Sequence, residues 1–310
     1  MGKYVIFGGN GFIGSHLAEA LLQRGHEVVI FDHFRHGTRN IASIVSDVTL
    51  KKGDFNNEHD VNDALKGVDA VFHFISTTNP ATSFNDPIFD TKTNLVGTIK
   101  LLQIAAQRDI ERIIFPSSGG TIYGDTLGSP ISETTAPKPS NPYAISKYAV
   151  ERYLHFFHEH HHLDFLIVRY SNPYGERQNP NARQGVIPIF LNQIKQGKRP
   201  VIFGDGSAVR DYIYIRDAID ATLQILESNT EEKVYNVGSG QGTSLNELIS
   251  IMSQVTGENI SPVYVYDEKK YVSKIVLDIS KLKKEIGWQP TTELTSGISR
   301  TWKWINTIID

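Results

Sequence analysis

A chain of 310 residues that is 40% hydrophobic and 21% charged has an ordinary globular composition, enough for one large domain or two smaller ones. Its net charge of −3 supplies no basic field for nucleic acid, and the absence of cysteine excludes disulfides and thiolate metal sites. No apolar run reaches the length of a membrane span, the first residues lack the apolar core and cleavage site of a secretory leader, and Ile6 stands where myristoylation needs Ser or Thr; the expectation is a cytoplasmic protein without a membrane partner.

Tyr4 to Phe7 reads as a short strand. Gly8-Gly-Asn-Gly11-Phe-Ile-Gly14 follows, then a helical pattern through Leu17, Leu21 and Leu22 that ends near Gly25. His26 to Phe31 is a second strand closed by Asp32. In this order Gly8 lets the chain turn, Gly11 lets a pyrophosphate approach the helix N-terminus, and Gly14 lets helix and strand pack closely. Asp32 falls where a carboxylate holds the adenosine ribose hydroxyls, which favours NAD over NADP, although His33 and Arg35 close by would suit a 2′-phosphate.

Alternation continues. Val48 to Lys51 is a strand, Gly53-Asp54-Phe55 a turn, and Glu58 to Leu65 a helix. Ala70 to Phe74 is the fourth strand, Thr91 to Gln107 a long helix, and Arg112 to Phe115 the fifth strand, ending at Ser117-Ser118. Ser146 to His158 is helical and Phe165 to Tyr170 is a sixth strand. Such alternation predicts an α/β fold, a doubly wound parallel sheet whose ligands sit beyond the carboxyl ends of the strands. Gly8, Asp32, Asp54, Ser117 and Tyr170 lie at such ends. After Tyr170 the texture changes to a turn-rich loop through Pro180, helices at Val186 to Gln196, Ala218 to Glu227, Leu245 to Thr256 and Lys281 to Trp288, and a late strand of the main sheet at Val234 to Val237. The expected division is a dinucleotide-binding Rossmann domain over 1–170, with the late strand, and a smaller, discontinuous substrate domain over 171–310.

Tyr143-Ala-Ile-Ser-Lys147 places a phenol and an ammonium one helical turn apart on one face. A free Tyr titrates near 10, and a neighbouring ammonium lowers that value, which suits the phenol to accept a proton from an alcohol. Alone the spacing is equally that of an exposed helical pair.

With these residues in view, the chain resembles an extended short-chain dehydrogenase/reductase of the nucleotide-sugar epimerase/dehydratase type over nearly its whole length. The resemblance is carried by the glycine turn, Asp32, Gly53-Asp54, Asn94, Ser117-Ser118, Tyr123-Gly124, Tyr143-x-x-x-Lys147, Arg169-Tyr-x-Asn-x-Tyr-Gly175, Arg210-Asp-Tyr-Ile-Tyr214 and Asn236-Val-Gly-x-Gly240. It implies that Tyr143 is the acid/base and that Lys147 holds the nicotinamide ribose and lowers the Tyr143 pKa. Asp54 would meet the adenine, and Tyr170 and Pro173 would line the nicotinamide pocket. Phe12, Ile13, Phe55, Asn94 and Ser117 complete the implied cofactor site. Asn172 and Arg210 would meet the pyrophosphate of a nucleotide-diphosphate sugar, a task that suits the planar fork of Arg. The plain alternatives are an ion pair of Arg210 with Asp211 or Asp205, and a turn role for Asn172 before Pro173. The family also forms homodimers through two helices per subunit; here Leu101, Leu102, Ile104, Ala105, Val150, Tyr153, Leu154 and Phe157 are the expected apolar face.

Two departures stand out. The usual catalytic Ser or Thr falls on Gly119, which leaves Ser118, with Thr121 as the alternative, to bond the reacting oxygen. The family's C-terminal Arg-Pro-x-Asp-Val is replaced by Glu268-Lys-Lys-Tyr-Val272, so a phosphate contact would fall to Lys269, Lys270 or Lys274. Around Ile275 the family places a residue that gates the hexose pocket, and Ile is intermediate in size between the residues that admit and exclude N-acetyl groups.

His158-Glu-His-His-His162 matches the zinc-protease pattern His-Glu-x-x-His. No downstream residue supplies an obvious third ligand, and imidazoles at a helix C-terminus are favoured by the dipole without metal, so no metal is expected. Among functions, a 4-epimerase working through a transient 4-keto sugar needs no group beyond NAD and the Tyr/Lys pair. A keto-sugar reductase using NAD(P)H is the alternative. A 4,6-dehydratase needs an Asp-Glu pair where this chain has Gly120 and Thr121. A non-catalytic dinucleotide sensor would not need to retain Tyr143 and Lys147.

Overall fold

Val5, Ile6 and Phe7 are all fully buried, so both faces of the first strand are covered. This is why its sequence runs apolar without alternation. The computed structural model describes every residue except 36, 109, 126, 127, 183, 229, 267–271, 309 and 310. Of the lysines considered as phosphate contacts, Lys269 and Lys270 lie outside the described residues. The chain divides into two units, one formed by Met1–Ile122, Pro139–Arg169 and Glu231–Val234, the other by Tyr123–Lys138, Tyr170–Thr230 and Tyr235–Asp310.

The first unit carries strands β1 (Lys3–Phe7), β2 (Glu27–Asp32), β3 (Thr49–Lys52), β4 (Ala70–His73), β5 (Arg112–Ser118) and β6 (Asp164–Tyr170). With the strand Val234–Val237 they form a seven-stranded sheet in which β1 has β4, β5, β6 and the late strand on one side and β2 and β3 on the other. The pairings β1–β2, β1–β4, β2–β3 and β4–β5 are parallel, as in a doubly wound Rossmann-type sheet. Helices α1 (Phe12–Gln23), α2 (Glu58–Ala64), α3 (Pro80–Ser83), α4 (Pro87–Asp90), α5 (Gly97–Ala106) and α6 (Pro142–His161) complete it.

Three expectations need correction here. The long helix from Thr91 is interrupted: Thr91–Val96 is a π-helical turn before α5, a distortion frequent at functional sites. α6 begins at Pro142 instead of Ser146, because Asn141 caps it, its side chain accepting the Ala144 amide at 2.9 Å, and Pro142 supplies a preset first turn. Tyr143 therefore stands in the first turn of α6. Finally, Leu101, Leu102, Ala105, Val150, Leu154 and Phe157, expected at a dimer face, belong to the core between helix and sheet, with Ile104 packed against it. The exposed apolar side chains of this region are Val96, Ile145, Tyr153 and Phe156.

The second unit holds β7 (Asn172–Tyr174), α7 (Val186–Lys195), β8 (Val201–Phe203), β9 (Val209–Tyr214), α8 (Ile215–Glu227), β10 (Val234–Val237), β11 (Gly242–Ser244), α9 (Leu245–Thr256), β12 (Val263–Val265), β13 (Lys274–Ile275), α10 (Ser280–Ile286) and α11 (Leu294–Thr307). Its small sheet is organised on β9, which pairs with β7, β11 and β13, while β8 pairs with β12. The helix α11 had no counterpart in the sequence reading. Among the described residues no helix is long and apolar enough to cross a membrane.

Candidate active site

The glycine turn joins β1 to α1. Gly8 has φ +83°, a conformation that side chains rarely adopt, and a Cβ on Gly14 would lie 2.3 Å from the Gly8 carbonyl oxygen. Gly11 is the N-cap of α1; no side chain caps it and no acid sits in the first turn, which leaves the helix N-terminus suited to an anion. Phe12 and Ile13, in that turn, are half-buried. Asp32, at the carboxyl end of β2, accepts the Asn10 amide at 3.3 Å and the Phe34 amide at 3.2 Å, so the backbone aims its carboxylate. Glycine cradle, uncapped helix and terminal acid together fit a dinucleotide. Asp54 is exposed and held by the Asn56 amide at 2.8 Å, whose hydrogen bond lowers its pKa. The Phe55 side chain, by contrast, belongs to the core, stacked on His73 at 4.9 Å.

Beside the carboxyl ends of β4 and β5 lies a pocket lined by His73, Asn94, Thr98, Phe115, Tyr143 and Lys147. The Lys147 ammonium donates to the Pro116 carbonyl at 2.9 Å and sits 4.6 Å from the Phe115 ring centroid and 5.7 Å from that of Tyr143. Burial lowers the Lys147 value to about 8, against the opposing pull of Asp90 and Glu151. Glu151 is itself engaged by Arg169 at 2.6 Å in a buried ion pair. Ser118 lies beside the Tyr143 phenol, and the Tyr143 amide donates to Ser83 Oγ at 3.2 Å. Burial, then the negative charge of Asp90, push Tyr143 up to about 12, and only Ser118 opposes them.

Ser118 thus stands beside the phenol, whereas Thr121 Oγ1 and Ser117 Oγ are buried without hydrogen-bond partners. The Asn94 side chain is committed within the unit: its oxygen accepts the Thr77 amide at 2.9 Å, and its nitrogen donates to Thr78 at 2.8 Å and Asp90 at 3.0 Å. One residue of this pocket, His73, and one bonded to its lining, Asp90, escaped the sequence reading. His73 is buried, with Nε2 2.7 Å from Thr98 Oγ1 and Nδ1 without a partner. Asp90 is fully buried and bonded by Thr78, Asn94 and Ser146. An aspartate after an apolar Pro-Ile-Phe run carries no spacing signal; the fold creates its role.

In the second unit, Arg210 on β9 is half-buried and donates to its neighbour's carbonyl, Val209 O, at 2.8 Å. The ion pairs considered for it do not form. Asp211 turns the other way and accepts Ser239 N and Oγ at 2.7 Å each, with the amides of Gly240 and Leu277, and Asp205 accepts Ser207. Ile275 in β13 is registered against Arg210. Asn172 opens β7 and donates to the Asp211 carbonyl at 2.8 Å, so it is a strand residue and not only a turn before Pro173. The Tyr170 hydroxyl is 2.5 Å from Thr222 Oγ1. At the end of α6, His158 packs against Phe165 and meets the Leu163 carbonyl at 3.3 Å. Among the described residues no group of three or more His, Cys, Asp or Glu is arranged to hold a metal ion.

The model of the NAD dependent epimerase/dehydratase family matches residues 4–238. The chain belongs to that family. It is an NAD-dependent enzyme. Within the family it is 32% identical over 305 residues to a UDP-glucose 4-epimerase of Mycolicibacterium smegmatis, covering 96% of this chain and 97% of that one. A UDP-glucose 4-epimerase of Thermotoga maritima, solved with UDP-glucose, superposes with a TM-score of 0.92 at 35% identity and 98% coverage of both chains. A UDP-N-acetylglucosamine 4-epimerase of Methanobrevibacter ruminantium, solved with UDP-N-acetylmuramic acid, does so with 0.92 at 32% identity, covering 99% of this chain and 98% of that one. For this family member the glycine turn, Asp32 and the pocket of Tyr143 and Lys147 are the residues that would hold NAD.

Proposed function

We propose that this enzyme is a UDP-sugar 4-epimerase that interconverts UDP-glucose and UDP-galactose, or their N-acetyl counterparts, through a transient 4-keto sugar. The observation that carries the reading is the pair Tyr143 and Lys147 lining one pocket, with Gly120 and Thr121 at the positions where dehydration needs a pair of carboxylates. Bound NAD supplies the hydride acceptor. Tyr143 takes the proton of the sugar 4-hydroxyl and gives it back, Ser118 bonds the reacting oxygen, and Lys147 keeps a positive charge beside the phenol. Because one phenol serves both directions, no net acid, base or reductant is consumed. Arg210 and Asn172 bind the diphosphate; Arg210 has no carboxylate partner among the described residues, and its burial makes a phosphate contact stronger than at an open surface. The names of the similar epimerases support the UDP moiety and leave the hexose open between the plain and N-acetylated sugars. We further propose a homodimer across the exposed Val96, Ile145, Tyr153 and Phe156. Incubation of the purified protein with a panel of UDP-, dTDP- and GDP-sugars, followed by product separation, tests the reading: new C4 epimers of UDP-sugars are expected, and turnover confined to dTDP- or GDP-sugars would refute it.

A further inference from the structure

Asn10 stands inside the glycine turn, and its side chain has no part in the roles above. It fastens that turn to the segment that follows β2. The Asn10 main-chain N–H donates to Asp32 Oδ2 at 3.3 Å, its side-chain nitrogen donates to the Gly37 carbonyl at 2.8 Å, and the Asn40 side-chain nitrogen donates to the Asn10 carbonyl at 3.0 Å. The Gly37 carbonyl can only accept, so it fixes the orientation of the Asn10 amide and leaves Oδ1 buried without a donor. The side chain therefore makes one hydrogen bond, and that bond crosses from the glycine turn to the segment beside Asp32. The segment is under strain where it leaves the acid. Phe34 has φ +51°, a left-handed conformation that costs free energy in a residue with a side chain and persists where the surroundings hold it. Its own bonds are local, Phe34 N–H to Asp32 Oδ1 and Gly37 N–H to the Phe34 carbonyl, each at 3.2 Å. Asn10 and Asn40 supply the ties to the rest of the unit.

We propose that Asn10 is a specificity-determining residue for the cofactor, a clasp whose bond to Gly37 keeps the Asp32 end of the dinucleotide site closed to a 2′-phosphate. Such a phosphate brings a charge of about −1.5 to −2 and oxygens that accept strongly. Two rearrangements would admit it. The Asp32 carboxylate could turn away, or the cations of the segment, His33, Arg35 and Arg39, could move in to pair with the phosphate. Both are opposed. The carboxylate is held at each oxygen, by the Asn10 and Phe34 amides. Among the described residues none of the three cations is paired with Asp32, and the Asn10 and Asn40 bonds fix the backbone that carries them. A ribose hydroxyl, which can donate to the carboxylate as it stands, needs neither change. Opening the clasp thus favours NADP while the groups that meet NAD stay in place.

The experiment titrates NADP against the NAD-loaded full-length protein and follows displacement of NAD, which reads the ratio of the two affinities directly. Asn10→Ala keeps the main-chain bonds to Asp32 and Asn40 and removes only the bond to Gly37. It should lower the preference for NAD by about fivefold or more, the net size of one hydrogen bond. A folded Asn10→Ala protein with an unchanged or larger preference overturns the proposal, because a role confined to the stability of the turn weakens both dinucleotides alike. If Asn10→Ala does not fold, Asn40→Ala, which cuts the other tie, decides the question by the same ratio and in the same direction. Equal affinities in the unmutated chain would also overturn it, since there would be no preference to hold. No sugar is present in the titration, so it holds or fails whether or not UDP-sugars turn over.

Discussion

His73 makes the stability of this fold sensitive to acid. Its ring is buried between Phe55 and Phe115, bonded at one nitrogen by Thr98 and bare at the other, with the Lys147 ammonium nearby. Burial, and then Lys147, lower its value from 6.5 to about 3. The folded value lies below the unfolded one, so the unfolded chain binds the extra proton between these limits. The stabilisation is complete above pH 6.5 and is lost as the pH falls toward 3. From those two values the loss between pH 8 and pH 5 is about 2 kcal/mol, rising to about 5 kcal/mol below pH 3. Urea unfolding of the unmutated chain and of His73→Leu at pH 8 and pH 5 isolates it. Thr98 keeps a partner in the variant, the Asn94 carbonyl at 2.5 Å, and the half-buried His155 titrates equally in both proteins. Whatever its absolute stability, His73→Leu should lose about 2 kcal/mol less between the two pH values. Equal losses in the two proteins would refute the reasoning.

Asp32 disfavours a 2′-phosphate, so NAD should bind more tightly than NADP, and Asp32→Ala should narrow the gap; equal affinities in the unmutated protein would contradict this. Gly14→Ala, whose Cβ would lie 2.3 Å from the Gly8 carbonyl oxygen, should weaken NAD binding by roughly tenfold or more, read by calorimetry, through displacement of the turn. Light scattering at micromolar concentration should give the mass of two chains, with Phe156→Asp shifting it toward one; a monomeric unmutated protein counts against the proposed dimer face.

The main sheet was legible because its inner strands, buried on both faces, advertise themselves as apolar runs between glycine turns, and Gly8, Gly14 and Asp32 have a spacing imposed by backbone geometry. The start of α6 was legible too, in the Asn141-Pro142 pair, but the reading placed it at Ser146 by following the apolar periodicity instead of the cap. Most residues expected at a dimer face, Tyr153 excepted, were misplaced for a related reason. Helical spacing groups Leu101, Leu102 and Leu154 as apolar and cannot tell a sheet-facing stripe from a partner-facing one, whereas burial assigns them to the core. The sign of the Tyr143 shift was beyond the sequence altogether. Lys147 is visible four residues away, but the opposing carboxylate comes from Asp90, distant in the chain and brought in by α4. Asp54 is exposed and Arg210 half-buried, whereas Phe55 and Tyr170, both expected at the cofactor, spend their side chains in the core.

The central claim is redox-neutral inversion at C4 with Tyr143 as the proton carrier. It is tested most directly by following UDP-glucose and UDP-galactose, and their N-acetyl counterparts, in purified enzyme with catalytic NAD, while NADH absorbance is recorded beside product formation. The account predicts interconversion to an equilibrium mixture with no NADH accumulating in proportion to product. It also predicts a loss of at least about 10²-fold on Tyr143→Phe with the fold intact. Product formed only with stoichiometric NAD(P)H, and only from a 4-keto sugar, would contradict the epimerase account and put a reductase in its place.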